Sequence, residues 1–345
     1  MRNNIDEYVT SPEAIFTSMS KCKKGSLNKN STAYFYLHGI EESLKLCEEL
    51  NSGKYKPRKT REVKITHPKP RTAISTAFRD RVYQRSLNDN VIYPQATRSF
   101  IHDNMACQKG KGTDRARKRL TAFLEKAHRH YGTNFYVCQC DIHGYYDNMR
   151  HDVAKSRFFR FLSFDVYKRA ADVLDIQYKG DVGYNPGSQM VQIAGIAVLD
   201  GMDHFVKEQL GVKFYMRYMD DFILIHHNKN YLEQCQIKIK SYLKAIGFEL
   251  HPRKTKIYPV KEGVKFLGFI FRVTSMGKVL MILDPKNVKY ERKKIFRISQ
   301  LVKSGEMERK KADEMFGAWK AHAEKGNSFR LLRRMDEFYI RCMEG

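Results

Sequence analysis

Residues 214–225 are the stretch that most restricts how this chain can fold. Two short apolar runs rich in aromatic residues flank Met219, Asp220 and Asp221. Each run has the length and composition of a β-strand, and the residues between them suffice for a tight turn. The sequence therefore predicts a hairpin with two neighbouring carboxylates at its tip. Such a pair is stable either as an ordinary solvated turn or as the ligands of a cation, for which Mg²⁺ is the natural candidate.

A third carboxylate ends another predicted strand. Residues 135–140 form an apolar run of strand length, and Asp141 follows directly. A carboxylate at the end of a buried strand is costly unless it is paired or bound to a cation. Asp141 is therefore the natural third ligand for a cation held by Asp220 and Asp221.

The charge of the chain indicates a polyanionic partner. Its 345 residues include 63 Lys and Arg against 38 Asp and Glu, a net charge of +25. An excess of this size favours nucleic acid over a merely basic surface. The basic residues are spread along the chain and are not gathered on one amphipathic helix, so we expect no membrane partner. No run of about 18 apolar residues predicts a membrane-spanning helix.

The cysteines and the N-terminus favour a cytoplasmic protein. The seven cysteines include no Cys-x-x-Cys pair. This spacing predicts neither a zinc site nor a disulfide framework, and reduced thiols fit it best. The first residues contain no apolar segment typical of a signal peptide.

The rest of the pattern mixes helices and strands. Residues 40–50 have apolar side chains at helical spacing, and residues 54–81 favour two basic strands joined by a proline-containing turn. Asp80 is expected to be the N-cap of a helix. A helix rich in small residues is expected to run to about Gln209, and residues 264–271 are expected to form one hydrophobic strand.

The order of these features resembles that of reverse transcriptases, especially the bacterial, group II intron-like kind. The similarity covers roughly residues 54–340, and residues 218–221 match the family's Tyr-x-Asp-Asp motif. It implies an α+β right-hand polymerase fold with fingers, a palm of antiparallel sheet plus helices, and a helical thumb. The implied domains are an N-terminal helical extension (1–53), fingers and palm (54–283) and a basic helical thumb (284–345).

The resemblance implies RNA-directed DNA synthesis by two-metal nucleotidyl transfer. Asp141 matches the metal-binding aspartate of the first palm motif. By this match Asp141 and Asp220 bind two Mg²⁺ ions, for which Mn²⁺ can substitute. Asp221 assists as the third catalytic carboxylate, and the carbonyl of Ile142 is an added ligand. One metal lowers the pKa of the primer 3′-hydroxyl, and the other neutralises the pyrophosphate leaving group.

Other residues match positions that bind the incoming nucleotide or the primer in this family. Tyr146 falls where an aromatic ring would clash with a 2′-hydroxyl, which favours dNTPs over NTPs; a core aromatic is the alternative. The remaining dNTP-binding matches are Arg71, Lys64 or Lys69 as its lysine partner, Gln192, and Lys254 in the basic, strand-like segment 250–257. Phe266, Leu267 and Gly268 resemble the primer grip.

Two departures bear on the branch of the family. Group II intron enzymes carry Pro-Gln-Gly-Gly before the small-residue helix, and Pro186 stands where that Gln would be. Diversity-generating retroelement enzymes carry Ser-Gln further on; Gln192 fits, but Val191 replaces the Ser. The departures favour a defence-associated enzyme that copies an associated non-coding RNA against phage. A diversity-generating enzyme and a polymerase with relaxed template use are alternatives of the same class.

A maturase-like RNA-binding scaffold is the alternative of another class. Three clustered anions would gain such a scaffold nothing beside RNA, which argues against it. The expected partners of the enzyme are the template RNA, a DNA or RNA primer, the cDNA product and dNTPs. An accessory protein or a second copy of the chain is left open.

Overall fold

The computed structural model describes residues 7–25, 27–65, 71–185 and 187–344, together with every side chain there except that of Arg71. Within these ranges no helix is both long and apolar enough to cross a membrane.

The described chain contains both helices and strands, in runs of up to four of one kind. The α-helices are α1 (Pro12–Cys22), α2 (Asn30–Leu37), α3 (Gly39–Asn51), α4 (Phe78–Leu87), α5 (Tyr93–Ala96), α6 (Thr113–Tyr131), α7 (His151–Phe161), α8 (Phe164–Gln177), α9 (Gln189–Val198), α10 (Asp200–His204), α11 (Lys229–Ala245), α12 (Pro285–Lys303), α13 (Arg309–Ala323) and α14 (Phe329–Glu344). The strands are β1 (Arg61–Ile65), β2 (Arg71–Ser75), β3 (Tyr136–Asp141), β4 (Phe214–Tyr218), β5 (Asp221–His226), β6 (Lys256–Pro259), β7 (Val264–Phe266), β8 (Phe269–Val273) and β9 (Val279–Leu283).

A four-stranded antiparallel sheet forms the palm and positions the site. Its order is β4-β5-β3-β6, so β3 and β5 are the inner strands. The predicted hairpin over residues 214–225 is confirmed as β4 and β5. The expected strand over residues 250–257 is mostly wrong, because residues 252–254 form a turn and β6 begins only at Lys256.

Both faces of the palm sheet are buried, which explains why its strands are nearly continuous apolar runs. On one face Val137 of β3 shares a core with Phe123 of α6. On the other face Cys138 shares a core with Ile239 of α11. Asp141 and Asp221 lie at the ends of their strands and not in the middle of the sheet.

The predicted pair of basic strands is confirmed as the antiparallel hairpin of β1 and β2. Four of the five residues of β1 are exposed, so the hairpin contributes little to the core. It docks on the rest of the chain through Asn185, whose side-chain amide donates to the Thr72 carbonyl at 2.6 Å. The proline-containing turn itself, residues 66–70, lies outside the described residues.

The helical predictions are confirmed in part. Residues 40–50 lie in α3 as expected. The long helix expected to reach Gln209 is instead broken at Leu199 into α9 and α10, followed by a π-helical turn over Phe205–Gln209. The break places Asp203 one turn into a separate short helix, beneath the β4–β5 hairpin.

Asp80 is not an N-cap, contrary to expectation. Helix α4 begins two residues earlier, and Ala77 is its N-cap. The Asp80 carboxylate is buried and accepts hydrogen bonds from the Tyr55 hydroxyl at 2.9 Å and the Arg58 backbone amide at 2.8 Å. It therefore ties the segment before β1 to α4.

A second antiparallel sheet, of order β7-β8-β9, occupies the segment expected to be one strand over residues 264–271. The expectation is wrong because Leu267 and Gly268 form a two-residue turn with φ of 46° and 86°. Positive φ at both central residues is the geometry of a type I′ hairpin turn. Because the side chains on both sides of this turn are apolar, a pattern based on hydrophobicity alone does not reveal it.

The C-terminal segment is helical, as expected of a thumb. Helix α12 begins at Pro285, and the Asp284 side chain caps it by accepting from the Lys286 amide at 2.9 Å. Ile295 of α12 belongs to the same apolar cluster as Val137 of the palm. The boundaries at 53/54 and 283/284 stay predictions.

Candidate active site at the tip of the central hairpin

The turn between β4 and β5 presents the two neighbouring aspartates. Tyr218 and Asp221 are paired across the hairpin, so Met219 and Asp220 form a two-residue turn. Met219 has a φ of 56°, which is uncommon for a residue other than glycine. A type II′ turn places positive φ at this first central position. The backbone here must consequently be held by its surroundings.

A buried arginine holds this turn from below. The guanidinium of Arg217 is 0% exposed and donates from Nη1 to the Met219 carbonyl at 2.9 Å. Its Nε and Nη2 donate to the two carboxylate oxygens of Asp203 at 2.7 and 2.6 Å. Nη2 also donates to the Ile196 carbonyl at 3.1 Å. Arg217 therefore joins the aspartate turn to α9 and α10.

Asp203 is as deeply buried as its partner, at 0% exposure. It also accepts a hydrogen bond from the Tyr215 hydroxyl at 2.6 Å. Burial by itself disfavours the charge on Arg217, but the adjacent Asp203 outweighs burial and raises the pKa of Arg217. The sequence reasoning missed this pair. A lone arginine in the apolar run 214–218 was the available signal, but its partner lies 14 residues away on another element.

Asp141 faces the turn from the neighbouring strand. It pairs in register with Asp221, so two of the three predicted carboxylates lie side by side at one end of the inner strands. The Asp141 side chain is buried, and Lys254 Nζ donates to its two oxygens at 3.0 and 2.8 Å. The hydrogen bond with Asp141 raises the pKa of Lys254, so this lysine stays protonated. The structure thus places Lys254, which the resemblance assigns to nucleotide binding, against Asp141.

The loop carrying Lys254 is held against the end of β3. The His251 amide donates to the Asp141 carbonyl at 2.7 Å, and the His143 amide donates to the Glu249 carbonyl at 2.9 Å. Ile142 lies between these two contacts, is buried, and forms an isolated bridge with Leu250. Its carbonyl is therefore adjacent to the carboxylates in the chain, on a segment that is well fixed.

The three carboxylates repel one another. Burial and then the charge of Asp141 raise the pKa of Asp220. Burial, then the charges of Asp220 and Asp141, raise the pKa of Asp221 to about 7. Lys254 supplies one positive charge to this cluster, and the three aspartates together carry more negative charge than that. An additional cation would relieve the remaining repulsion.

The donor chemistry fits Mg²⁺, because hard divalent cations prefer carboxylate and carbonyl oxygens. Within the described ranges, no group of three or more His, Cys, Asp or Glu side chains is already arranged to hold a metal ion. Lys254 engages both oxygens of Asp141 in this arrangement. Each carboxylate oxygen has a second lone pair, so Asp141 can coordinate a metal with the lone pairs that Lys254 does not use.

Tyr146 lies beside the aspartate turn, and its position depends on Gly195. A β-carbon on Gly195 would lie 2.9 Å from the Tyr146 hydroxyl oxygen, so only glycine leaves room for the ring. The hydroxyl is buried and has no hydrogen-bond partner among the described residues. Burial raises the pKa of Tyr146, and the charges of Cys107 and Asp220 add to the effect. Gln192 lies on the same helix, one turn before Gly195, and is half-buried.

Two of the predicted triphosphate-binding residues, Lys64 and Arg71, lie on the strands β1 and β2. Lys64 is exposed in β1 and pairs with Thr72. Arg71 begins β2 opposite Ile65, but its side chain lies outside the described residues, as does the whole of Lys69. The hairpin packs closely against Gly187, just before α9, since a β-carbon on Gly187 would lie 2.8 Å from the Ile74 carbonyl oxygen. Pro186 also lies outside the described residues.

The predicted primer-grip residues form the β7–β8 turn. Phe266 is buried, while Leu267 and Gly268 make the turn itself. Arg117 of α6 donates to the Leu267 carbonyl from Nη2 at 2.8 Å and from Nε at 3.3 Å. The guanidinium also lies over the Phe269 ring, 4.7 Å from its centroid. The turn is therefore fixed to the helix that covers the palm.

Comparison with known proteins gives one family match. The family model described as reverse transcriptase (RNA-dependent DNA polymerase) matches residues 62–271, which run from β1 to β8 and include all three aspartates. No curated protein matches the chain.

Among solved structures, the chain is similar to telomerase from Candida albicans in complex with the TWJ fragment of telomeric RNA. The two share 11% identity with a TM-score of 0.48. The alignment covers 74% of this chain and 55% of that chain, so the chain spans about half the length of the telomerase protein.

Proposed function

The chain belongs to the reverse transcriptase (RNA-dependent DNA polymerase) family of nucleotidyltransferases, and from that premise we propose that it extends a primer with dNTPs on an RNA template. The observation that carries the proposal is the register of the inner strands. Asp141 and Asp221 are paired across β3 and β5, and Asp220 is the next residue in the turn. Three carboxylates at one sheet end are what phosphoryl transfer with two metals needs.

The residues that would hold two Mg²⁺ ions are Asp141, Asp220 and Asp221, with the Ile142 carbonyl as an added ligand. When bound, the ions activate the primer hydroxyl and neutralise the pyrophosphate leaving group; Mn²⁺ can substitute. Arg217 keeps the turn in place, so the carboxylates need little reorganisation before reaction. Lys254 is protonated and, once displaced from Asp141, is positioned to donate to a phosphate of the nucleotide.

Selection of deoxynucleotides is assigned in this proposal to Tyr146. Its ring packs against Gly195 and lies close enough to Asp220 for the charge of that carboxylate to help raise the pKa of Tyr146, after burial. An aromatic ring at this place excludes a 2′-hydroxyl by steric clash. Gln192, on the same helix face, would contact the nucleotide. Lys64, Lys69 and Arg71 would reach the triphosphate from the fingers hairpin.

Primer and template would be held by the other two regions. The Phe266–Gly268 turn would support the primer end, and the basic helices α12, α13 and α14 would contact the duplex backbone. Phosphate contacts of this kind fix position without reading sequence. Participation of an accessory protein or of a second copy of the chain is left open.

The proposed template is an associated non-coding RNA, and the proposed role is defence against phage. The support is Val191, which stands where diversity-generating enzymes carry Ser, beside the matching Gln192. None of the seven cysteines, all of which lie in the described ranges, forms a disulfide, and the proposed location is a reducing cytoplasm. Sequencing the RNA that co-purifies with the protein, and the DNA made on it, tests the role. A template matching a variable repeat in the same genome would favour sequence diversification instead.

The decisive test of the activity is Asp220→Ala with Asp221→Ala. We expect dNTP incorporation on an oligo(dT)-primed poly(rA) template in Mg²⁺ to be lost, while binding of the same duplex persists. The control is Asp147→Ala with Asp181→Ala, two exposed aspartates, which should retain incorporation. Equal incorporation by the aspartate-turn variant and the wild type would refute the assignment. A pure RNA-binding scaffold would show binding but no incorporation even in the wild type.

A further inference from the structure

A cavity of about 920 Å³ lies between the N-terminal helices and the open ends of β1 and β2. Its wall is formed by the start of α2, the segment before β1 and the start of α4. None of its described lining residues belongs to the aspartate cluster or to the predicted nucleotide and primer sites. The reaction proposed above therefore leaves the cavity without a role.

The cavity is strongly basic. Its lining includes a single carboxylate, that of Glu42, among the described residues. The basic lining residues are Lys29, Arg58, Lys59, Arg61, Arg79 and Arg81. Arg79 is paired with Glu49 outside the lining, but the charge of the other five basic residues still exceeds that of Glu42, so the natural ligand of the cavity is a polyanion.

Two helices also begin at this cavity. Lys29 is the N-cap of α2 and Ala77 is the N-cap of α4, and neither provides a side-chain cap. The first amide groups of a helix have no partner within the helix and carry partial positive charge. Asp80, the acidic residue in the first turn of α4, is already bonded to Tyr55 and Arg58. Both helix starts therefore remain suited to binding phosphate.

Two buried donors in the wall have no partner within the part of the chain that the structure describes. The Nε atoms of Arg79 and Arg81 are buried, and each lacks a hydrogen-bond acceptor among the described residues. Arg79 forms its ion pair with Glu49 through Nη2, so Nε is not used there. A buried donor without an acceptor destabilises the fold. Because solvent does not reach these two Nε atoms, a phosphate in the cavity would interact with the charge of the two guanidinium groups and not with Nε itself.

An aromatic side chain completes the site. Tyr34 of α2 lines the cavity and is 57% exposed. Exposed aromatic rings beside basic grooves stack on the bases of single strands. We propose that this cavity binds a single-stranded segment of RNA, with phosphates at the two helix starts and a base over Tyr34. The inference rests on the proposed function, since it gives the associated RNA an anchor separate from the primer and template.

The test measures RNA binding while primer–template duplex occupies the palm. The probe is a fluorescent oligouridylate of about 12 nucleotides, followed by anisotropy across a series of salt concentrations. In the variant Lys29→Gln/Lys59→Gln/Arg61→Gln, we expect affinity to fall at least roughly tenfold. The slope of log Kd against log salt should fall by about 2, since each phosphate contact to a single strand contributes about 0.7.

The matched control is Lys238→Gln/Lys240→Gln/Lys244→Gln, which removes the same charge from exposed positions on α11. It should keep the wild-type affinity and slope for the probe. Both variants should extend a saturating primer–template at the wild-type rate. Failure of the proposed polymerase would appear as lost extension with probe binding intact, so the two proposals fail in different measurements.

Crosslinking locates the bound probe. With 4-thiouridine in the oligouridylate, we expect adducts on residues 29–35. The proposal is overturned if excess primer–template displaces the probe completely, if both variants weaken binding equally, or if all adducts lie on the palm.

Discussion

Replacing Arg217 by methionine tests how the aspartate turn is held. The guanidinium donates four hydrogen bonds: two to Asp203, one to the Ile196 carbonyl and one to the Met219 carbonyl. Methionine fills a similar unbranched space but donates none. The change removes the donor beneath the turn and leaves the Asp203 carboxylate buried without its cation.

The expected loss of stability is large. Removing one partner of a fully buried ion pair costs about 3–5 kcal/mol, because the remaining charge is uncompensated. Adding Asp203→Asn removes that charge and keeps an acceptor for the Tyr215 hydroxyl. We therefore expect the double variant to be more stable than Arg217→Met by about 2 kcal/mol, a strongly non-additive result.

Rescue of stability should not restore polymerisation. The Met219 carbonyl lacks its donor in both variants, so the turn at φ 56° loses the contact that holds it. A displacement of about 1 Å at a reacting centre can cost about 100-fold in rate. Urea unfolding and dNTP incorporation at saturating primer–template measure the two effects separately.

Two results would contradict this reasoning. A double variant that incorporates dNTPs at the wild-type rate would show that Arg217 does not position the aspartate turn. A loss below about 1 kcal/mol for Arg217→Met would show that the pair is not buried as the structure has it.

The remaining predictions address three other contacts. Gly195→Ala should push the Tyr146 ring aside, because the new β-carbon would lie 2.9 Å from the Tyr146 hydroxyl oxygen. We therefore expect discrimination against NTPs to fall roughly tenfold, as measured by dNTP and NTP incorporation in parallel. Gly268→Ala should lower the free energy of unfolding by about 1 kcal/mol, because φ there is 86°; an unchanged urea midpoint would contradict the turn. Burial opposes the charge of Asp103, but hydrogen bonds from Arg119 at 2.6 Å and from Lys207 keep the pKa of Asp103 below its ordinary value. The stability that ionised Asp103 contributes is therefore fully present above its pKa in the unfolded chain, about 3.9. It is lost as pH falls through the pKa of Asp103 in the folded protein. Asp103→Asn should accordingly cost about 2 kcal/mol at neutral pH and progressively less in acid, as measured by urea unfolding across pH.

Much of the fold could be predicted from local pattern. The hairpin at residues 214–225, the strand ending at Asp141, the basic strand pair and the helix over residues 40–50 all have periodicities that short segments carry by themselves. The predictions failed where local pattern is ambiguous. Residues 264–271 are apolar on both sides of the Leu267–Gly268 turn, so hydrophobicity does not mark the reversal.

The helix expected to reach Gln209 shows a related limit. Its break at Leu199 is not marked by proline, and glycine and small residues continue on both sides. What the break achieves is visible only in three dimensions, where Asp203 meets Arg217 and Tyr215.

The sequence by itself determined that three carboxylates and an excess of basic charge belong to one chain, because motif spacing and composition are local properties. Only the tertiary structure decided what surrounds those carboxylates. Register across β3 and β5 sets Asp141 opposite Asp221, and helix packing buries the Arg217–Asp203 pair beneath the turn. The same is true of the basic cavity, since its helix starts and cations come from segments about 50 residues apart. The interaction between such groups depends on their separation and their burial, and the order of residues alone specifies neither quantity.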